Sequence, residues 1–129
     1  EFDWKYYFDN IHITYNFSFV QGDSKTTEMP LSYISPMKQI LTFDFMRKNV
    51  NYKLRLTNID AQNRLGEFET STPNTFLTDF IYTFSFESHR LTLQFNNIFD
   101  KTYYNHLSRI KDLKPEPGAS IHFNYKVIF

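Results

Sequence analysis

The sequence predicts an all-β chain: an antiparallel up-and-down transmembrane β-barrel segment of about six long strands, with short periplasmic turns and long extracellular loops. Three observations predict it. Apolar and polar residues alternate with period two through most of the 129 residues. The alternating runs are about 10 residues long where strands are usually about 5 or 6, and about 9–11 residues are what a tilted strand needs to cross a bilayer. The links between the runs are long, short, long, short and long, which is the loop asymmetry of an outer-membrane barrel.

The strands follow in order. Ile11, Ile13, Tyr15, Phe17 and Phe19 alternate with His12, Thr14, Asn16 and Ser18, giving a strand over about 9–20. A long link of roughly 21–37 leads to Leu41, Phe43 and Phe45, which alternate with Thr42 and Asp44 in a strand over 38–47. Arg47-Lys48-Asn49 turns the chain into 50–59, where Val50, Tyr52, Leu54 and Leu56 alternate with Asn51, Lys53, Arg55 and Thr57. After a second long link of 60–74, the strand over 76–87 carries Phe76, Phe80, Tyr82, Phe84 and Phe86 on one face, with Thr78 as the exception. Ser88-His89 forms a short turn into 90–99, where Leu91, Leu93 and Phe95 alternate with Thr92, Gln94 and Asn96. The third long link, roughly 100–117, precedes a strand over 119–129 in which Ile121, Phe123, Tyr125, Val127 and Phe129 alternate with His122, Asn124 and Lys126. β-branched and aromatic richness supports strand throughout. Rings near strand ends, Trp4, Tyr6 and Tyr7 at the start and Tyr103 and Tyr104 after the fifth strand, are expected to form interfacial girdles.

Composition narrows the function. Fourteen basic residues balance 14 acidic ones, which speaks against a nucleic-acid partner. The absence of cysteine excludes disulfide frameworks and Cys-ligated metal centres in this chain. No run of about 18 apolar residues marks a membrane-spanning helix. Fifteen Phe, 9 Tyr and 1 Trp make up 19% of the chain, although its mean hydropathy is −0.48. Alternation reconciles the two values, because the rings sit on one face and the polar groups on the other. Alternation alone does not say which face points inward. Strand length, loop asymmetry and ring density favour an apolar face turned to lipid and a polar lumen.

From Leu91 to Arg109 the chain reads L-T-L-Q-F-N-N-I-F-D-K-T-Y-Y-N-H-L-S-R. It continues through P-E-P-G at Pro115–Gly118 to a last strand ending in Phe129. This resembles the C-terminal end of a TonB-dependent outer-membrane receptor, in which an N-N-(Ile/Leu)-F-D-K-x-Y stretch closes the penultimate strand and a Pro-Gly segment opens a final strand ending in Phe. P-L-S-Y-I-S-P (Pro30–Pro36) and R-L-G-E-F-E-T-S-T-P-N (Arg64–Asn74) resemble loops of such receptors from the Bacteroidetes group. The resemblance covers about residues 9–129. It departs at Ala119, where the family usually has Arg, and at the ending Y-K-V-I-F.

The resemblance implies a barrel of about 22 strands with a plug in its lumen and an N-terminal box that contacts TonB. Six strands are then the last part of that barrel, since small membrane barrels start at about eight strands and lipid offers no partner to a bare strand edge. A Met or signal peptide directly before Glu1 would speak against this. The implied partners are the lipid bilayer, the remaining strands and plug of the full receptor, TonB through the absent N-terminal part, and the barrel-assembly machinery. The implied location is the outer membrane of a Gram-negative bacterium.

Phe123, Tyr125, Val127 and Phe129 resemble the C-terminal signal that the assembly machinery reads, and are equally plain lipid-facing side chains. Asp44, Lys53, Arg55, Asp79, His122 and Lys126 fall on the polar face as lumen lining, or as a solvated and mutually paired face; Lys53 and Arg55 stand across the turn from Asp44. Glu67, Glu69, Tyr103, Tyr104, His106 and Arg109 are candidate ligand contacts in the loops. For Glu67 and Glu69 the competing reading is solvated loop charge, and for His106 a structural or surface role. His12, His89, His106 and His122 show no metal-site spacing. His106 and Ser108 lie too close in sequence for a catalytic triad. Asn16-Phe17-Ser18 matches a glycosylation sequon but sits inside a strand.

No phosphate-cradling loop, nucleophile elbow or metal cluster is present, so neither chemistry nor a cofactor is expected. The leading reading is therefore the wall and outer loops of a TonB-energised importer of a scarce nutrient such as a ferric siderophore or cobalamin. A soluble lipocalin-like or fatty-acid-binding barrel around a small apolar ligand is the alternative. An outer-membrane enzyme or adhesin is a third.

Overall fold

A computed structural model describes residues 1–128. The chain forms seven strands, β1 (Phe2–Phe8), β2 (Ile11–Ser18), β3 (Lys38–Arg47), β4 (Val50–Ile59), β5 (Thr75–Phe86), β6 (His89–Asn96) and β7 (Ser120–Val127). They make one antiparallel sheet in the order β1-β2-β3-β4-β5-β6-β7, each strand paired with the next in sequence. The all-β, up-and-down fold class is the one the alternation predicts. The count is not: seven strands stand where six were expected.

The additional strand is β1. Phe2, Trp4, Tyr6 and Phe8 share one face, but the run Tyr6-Tyr7-Phe8 places three rings in a row and masks the period. Trp4 and Tyr6 therefore lie within a strand, opposite Tyr15 and Ile13, and Tyr7 lies on the other face opposite His12. Tyr6 and Tyr7 lie within two residues of the end of β1, and Trp4 lies near its middle. His89, expected in a turn, opens β6 and stacks on Tyr125 with ring centroids 5.9 Å apart.

Three two-residue turns, Asp9-Asn10, Lys48-Asn49 and Glu87-Ser88, gather at one end of the sheet. The first residue of each has a left-handed backbone, with φ of 43°, 50° and 51°. Asp tolerates this conformation better than Lys or Glu. The three long links, 19–37, 60–74 and 97–119, gather at the opposite end.

Register carries the face assignment across the strands. One row runs Tyr6, Ile13, Phe43, Leu54, Phe80, Phe95, Ile121, and the next Phe8, Ile11, Phe45, Tyr52, Tyr82, Leu93, Phe123. The opposite face carries the row Tyr7, His12, Asp44, Lys53, Ile81, Gln94, His122. On β5 the apolar face extends from Phe76 to Phe86, about 33 Å of strand or about 25 Å along the normal at a tilt of about 40°, the height of a membrane barrel's apolar band.

Among the described residues no hydrophobic side chain is fully buried, and many large ones, including Phe2, Trp4, Phe84, Phe86, Ile121 and Phe123, lie open. The outer edges of β1 and β7 have no strand partner among the described residues. A soluble ligand-binding barrel needs a closed wall and an apolar or mixed interior. Among the described residues this sheet does not close on itself.

Candidate functional site

The candidate site lies among the three long links, and its foundation is the stretch Asn96–Lys101. Asn97 is buried with φ 47°, which takes the chain out of β6. Its backbone N–H donates to Asp79 Oδ1 at 2.9 Å. Its side-chain amide closes a reciprocal pair with Lys101, donating to the carbonyl at 2.8 Å and accepting from the N–H at 2.9 Å. Asp100 Oδ1 then accepts from the Ala119 N–H at 2.8 Å, fastening the start of β7. A Cβ on Gly118 would meet that same carboxylate oxygen, so any larger residue there would push Asp100 off the Ala119 amide. The N-N-I-F-D-K and Pro-Gly phrases are thus two halves of one clasp. At position 119 the clasp uses the backbone amide, which Ala supplies as well as Arg.

A second polar cluster joins the three links to one another. Glu69 accepts from the Tyr33 N–H at 2.6 Å and from the Gly66 N–H at 2.8 Å. His106, 2% exposed, places Nε2 3.5 Å from Glu69 Oε1. On the other side of the ring Nδ1 lies 3.2 Å from Thr72 Oγ1 and 3.2 Å from Lys111 Nζ. Lys111 also donates to the Thr70 carbonyl at 2.6 Å, and the Thr70 hydroxyl donates to Asp112 at 2.6 Å. Further ties are Gln62 Nε2 to the Ile34 carbonyl at 3.0 Å and an ion pair between Arg64 and Asp23. Gly66 is required because a Cβ there would fall 2.6 Å from Ser32 Cα.

Electrostatics follow from this packing. Desolvation acts to raise the Glu69 pKa, but the Tyr33 and Gly66 N–H donors, with the charges of His106 and Lys111, outweigh it and hold the carboxyl below its ordinary value. For His106 desolvation comes first and Lys111 second; together they outweigh Glu69 and lower its pKa. Both groups release protons more readily folded than unfolded. The stability each contributes is therefore present above its ordinary value and lost as pH falls, first through the histidine range and then through the carboxylate range.

Below the third link a cavity of about 460 Å³ opens onto the polar face, lined among others by Lys38, Arg55, Asp79, Tyr103, His106 and Glu116. Burial raises the Tyr103 pKa, and the carboxylates of Glu116 and Asp79 add to the effect. Among the described residues, no group of three or more His, Asp or Glu gathers as a metal site.

The expected site residues fall as follows. Asp44, Lys53, Arg55, Asp79, His122 and Lys126 share one face of the sheet. Lys53 Nζ lies 3.4 Å from Asp44 Oδ2, whereas Arg55 stands opposite Asp79, whose Oδ1 is engaged by Asn97. Phe123, Tyr125 and Val127 share the other face on the edge strand β7, and Phe129 lies outside the described residues. Glu67 and Arg109 are exposed; His106 is buried between links, and the Glu69 side chain is largely covered there. Glu67 is thus open to solvent, whereas Glu69 is engaged by neighbouring links. Tyr103 and Tyr104 line the cavity. The sequence reading did not single out Lys111, Thr72, Asn97 or Asp100. The family-like phrase contained the last two, but nothing local marks the first two.

No protein-family model matches the sequence, and no curated protein matches it either. Solved structures do, 31 chains in all. One is the copper transporter OprC, a TonB-dependent outer-membrane receptor barrel. It matches with a TM-score of 0.85 and 16% identity over 92% of this chain and 21% of that one. The chain spans about one fifth of the length of that structure. At this identity the likeness is one of fold. The chain has the architecture of part of a TonB-dependent outer-membrane receptor barrel.

Proposed function

We propose that the chain is the C-terminal part of the wall of an energised outer-membrane importer, embedded in the outer membrane of a Gram-negative bacterium. The observation that carries this reading is the pairing of a continuous apolar face with three long, interlocked links at one end of the sheet. The apolar rows face lipid, and the row of Asp44, Lys53 and His122 faces the lumen with Arg55, Asp79 and Lys126. The long links stand outside the cell and the two-residue turns in the periplasm. Remaining strands close the sheet, and a plug, coupled to TonB, fills the lumen.

The cargo is a scarce nutrient too large for simple diffusion, such as a ferric siderophore, cobalamin or a metal complex. The cargo of the copper transporter supports a metal-containing one without naming it. Glu67, Tyr103, Tyr104 and Arg109 meet cargo directly, while Glu69 and His106 shape the loops that do. Phe123, Tyr125, Val127 and Phe129 present the final strand to the assembly machinery. The segment carries out no reaction of its own.

Uptake of candidate cargoes by cells expressing the full-length protein tests this reading. Replacing residues 97–119 with a short turn is expected to abolish uptake while the protein still reaches the membrane. Dissipating the proton-motive force is expected to do the same to the natural protein. Uptake that survives both treatments would contradict the proposal.

A further inference from the structure

We propose that the cavity beneath the third link binds an aromatic group that carries both a carboxylate and an ammonium. Binding stands on the geometry of the cavity itself. That the group is presented by cargo rests on the transport role proposed above.

The floor of the cavity departs from the face it lies on. Arg55 and Asp79 share this face of the sheet, which is polar along most of its length. Here Ile40, Ile59 and Leu77 gather on it, with Ile40 and Leu77 on either side of Thr57 in register. Tyr103 and Tyr104 of the third link line the same space. These five side chains do not close into a core, since no hydrophobic side chain among the described residues is fully buried. They bound a cavity of about 460 Å³ instead. Small-molecule sites are typically about 300–1,000 Å³, mostly apolar, with a few placed polar groups. Branched aliphatic side chains below and two phenol rings alongside suit a flat aromatic body.

Charges of both signs line the same space. Lys38 and Arg55 form no ion pair among the described residues, although Arg55 stands opposite Asp79 on the neighbouring strand. Asp79 spends Oδ1 on the Asn97 N–H. Glu116 forms no ion pair among the described residues either. Burial, then Glu116 and Asp79, raise the Tyr103 pKa, so the field of both carboxylates reaches into the cavity. Charges drawn out of water are costly until they are paired. An anion alone meets Asp79 and Glu116 unopposed, and a cation alone meets Lys38 and Arg55. A group with both charges relieves both sets.

Three probes of one skeleton test this by calorimetric titration of the full-length protein in detergent. L-tryptophan carries both charges, indole-3-propionate lacks the ammonium and tryptamine lacks the carboxylate. L-tryptophan should bind more tightly than either by about tenfold or more, the worth of one hydrogen bond to a charged group. Glu116→Gln should erase its advantage over indole-3-propionate, and Arg55→Gln its advantage over tryptamine. Glycine, which has both charges and no ring, should bind more weakly than L-tryptophan. No binding of L-tryptophan, or equal binding of the three indoles, would overturn the site on the natural protein alone, whatever the variants do. Titration needs no membrane energy, so that failure leaves the transport reading standing. Binding without energised uptake would overturn transport and keep the site.

Discussion

Asn97 and Asp100 show how a few polar atoms end one strand and begin another. Asn97 satisfies both backbone groups of Lys101 while holding a left-handed φ that asparagine tolerates. Asp100→Ala removes the acceptor for the Ala119 amide and should destabilise the folded protein by about 1–3 kcal/mol, visible as a lower thermal midpoint by circular dichroism. Gly66→Ala pushes a methyl into the Ser32 backbone, an overpacking cost of about 1–3 kcal/mol, and should speed exchange at the Tyr33 amide. Thr78 gives the opposite sign. Its hydroxyl is buried without a partner on the apolar face, so Thr78→Val should raise the thermal midpoint, by about 1 kcal/mol in stability. These residues differ in how far the sequence disclosed them. The Asn97–Asp100 phrase stood out as a motif, although its mechanics needed coordinates. Thr72 and Lys111 did not stand out, and Glu69 stood out only as a loop charge, because Tyr33 and Glu69 lie 36 residues apart and Thr70 and Lys111 lie 41 apart, and no periodicity links such pairs.

Among the elements, the sequence discloses most where one face of the sheet is apolar and the other polar. Period-two alternation then marks each strand and its register, as in β3 and β4, where Leu41 meets Leu56 and Phe43 meets Leu54. It fails at β1, where Tyr7 puts a ring on the polar face. It also overruns at the end of β6, where Asn97 turns the chain while Ile98 and Phe99 still look like strand. The short turns carry their own strain. Lys48 holds φ 50° without glycine's freedom, so Lys48→Gly should stabilise the β3–β4 hairpin by about 1 kcal/mol, read as a slower unfolding rate. The long links behave as one element. Their ties run between links, so disrupting the second should loosen the first and third together.

Taken whole, the molecule has two surfaces of opposite character and no apolar interior among its described residues. Water cannot satisfy the rows of Phe, Tyr, Leu and Ile on one face, and neither surface alone stabilises a seven-stranded sheet with open edges. On the proposed reading, lipid and further barrel strands supply what the sheet lacks. The even charge balance and negative mean hydropathy, averaged over both faces, describe neither of them.

The central claim is that this sheet crosses a membrane with its long links outside. The chain has no cysteine, so single cysteines report position directly in a full-length background free of others. Phe68, 96% exposed, and Leu113, 83% exposed, mark the long links, and Lys48 and Glu87 mark the short turns. A membrane-impermeant maleimide should label Phe68→Cys and Leu113→Cys in intact cells, and Lys48→Cys and Glu87→Cys only after the outer membrane is opened. The reverse pattern, or equal labelling of all four, would contradict the account.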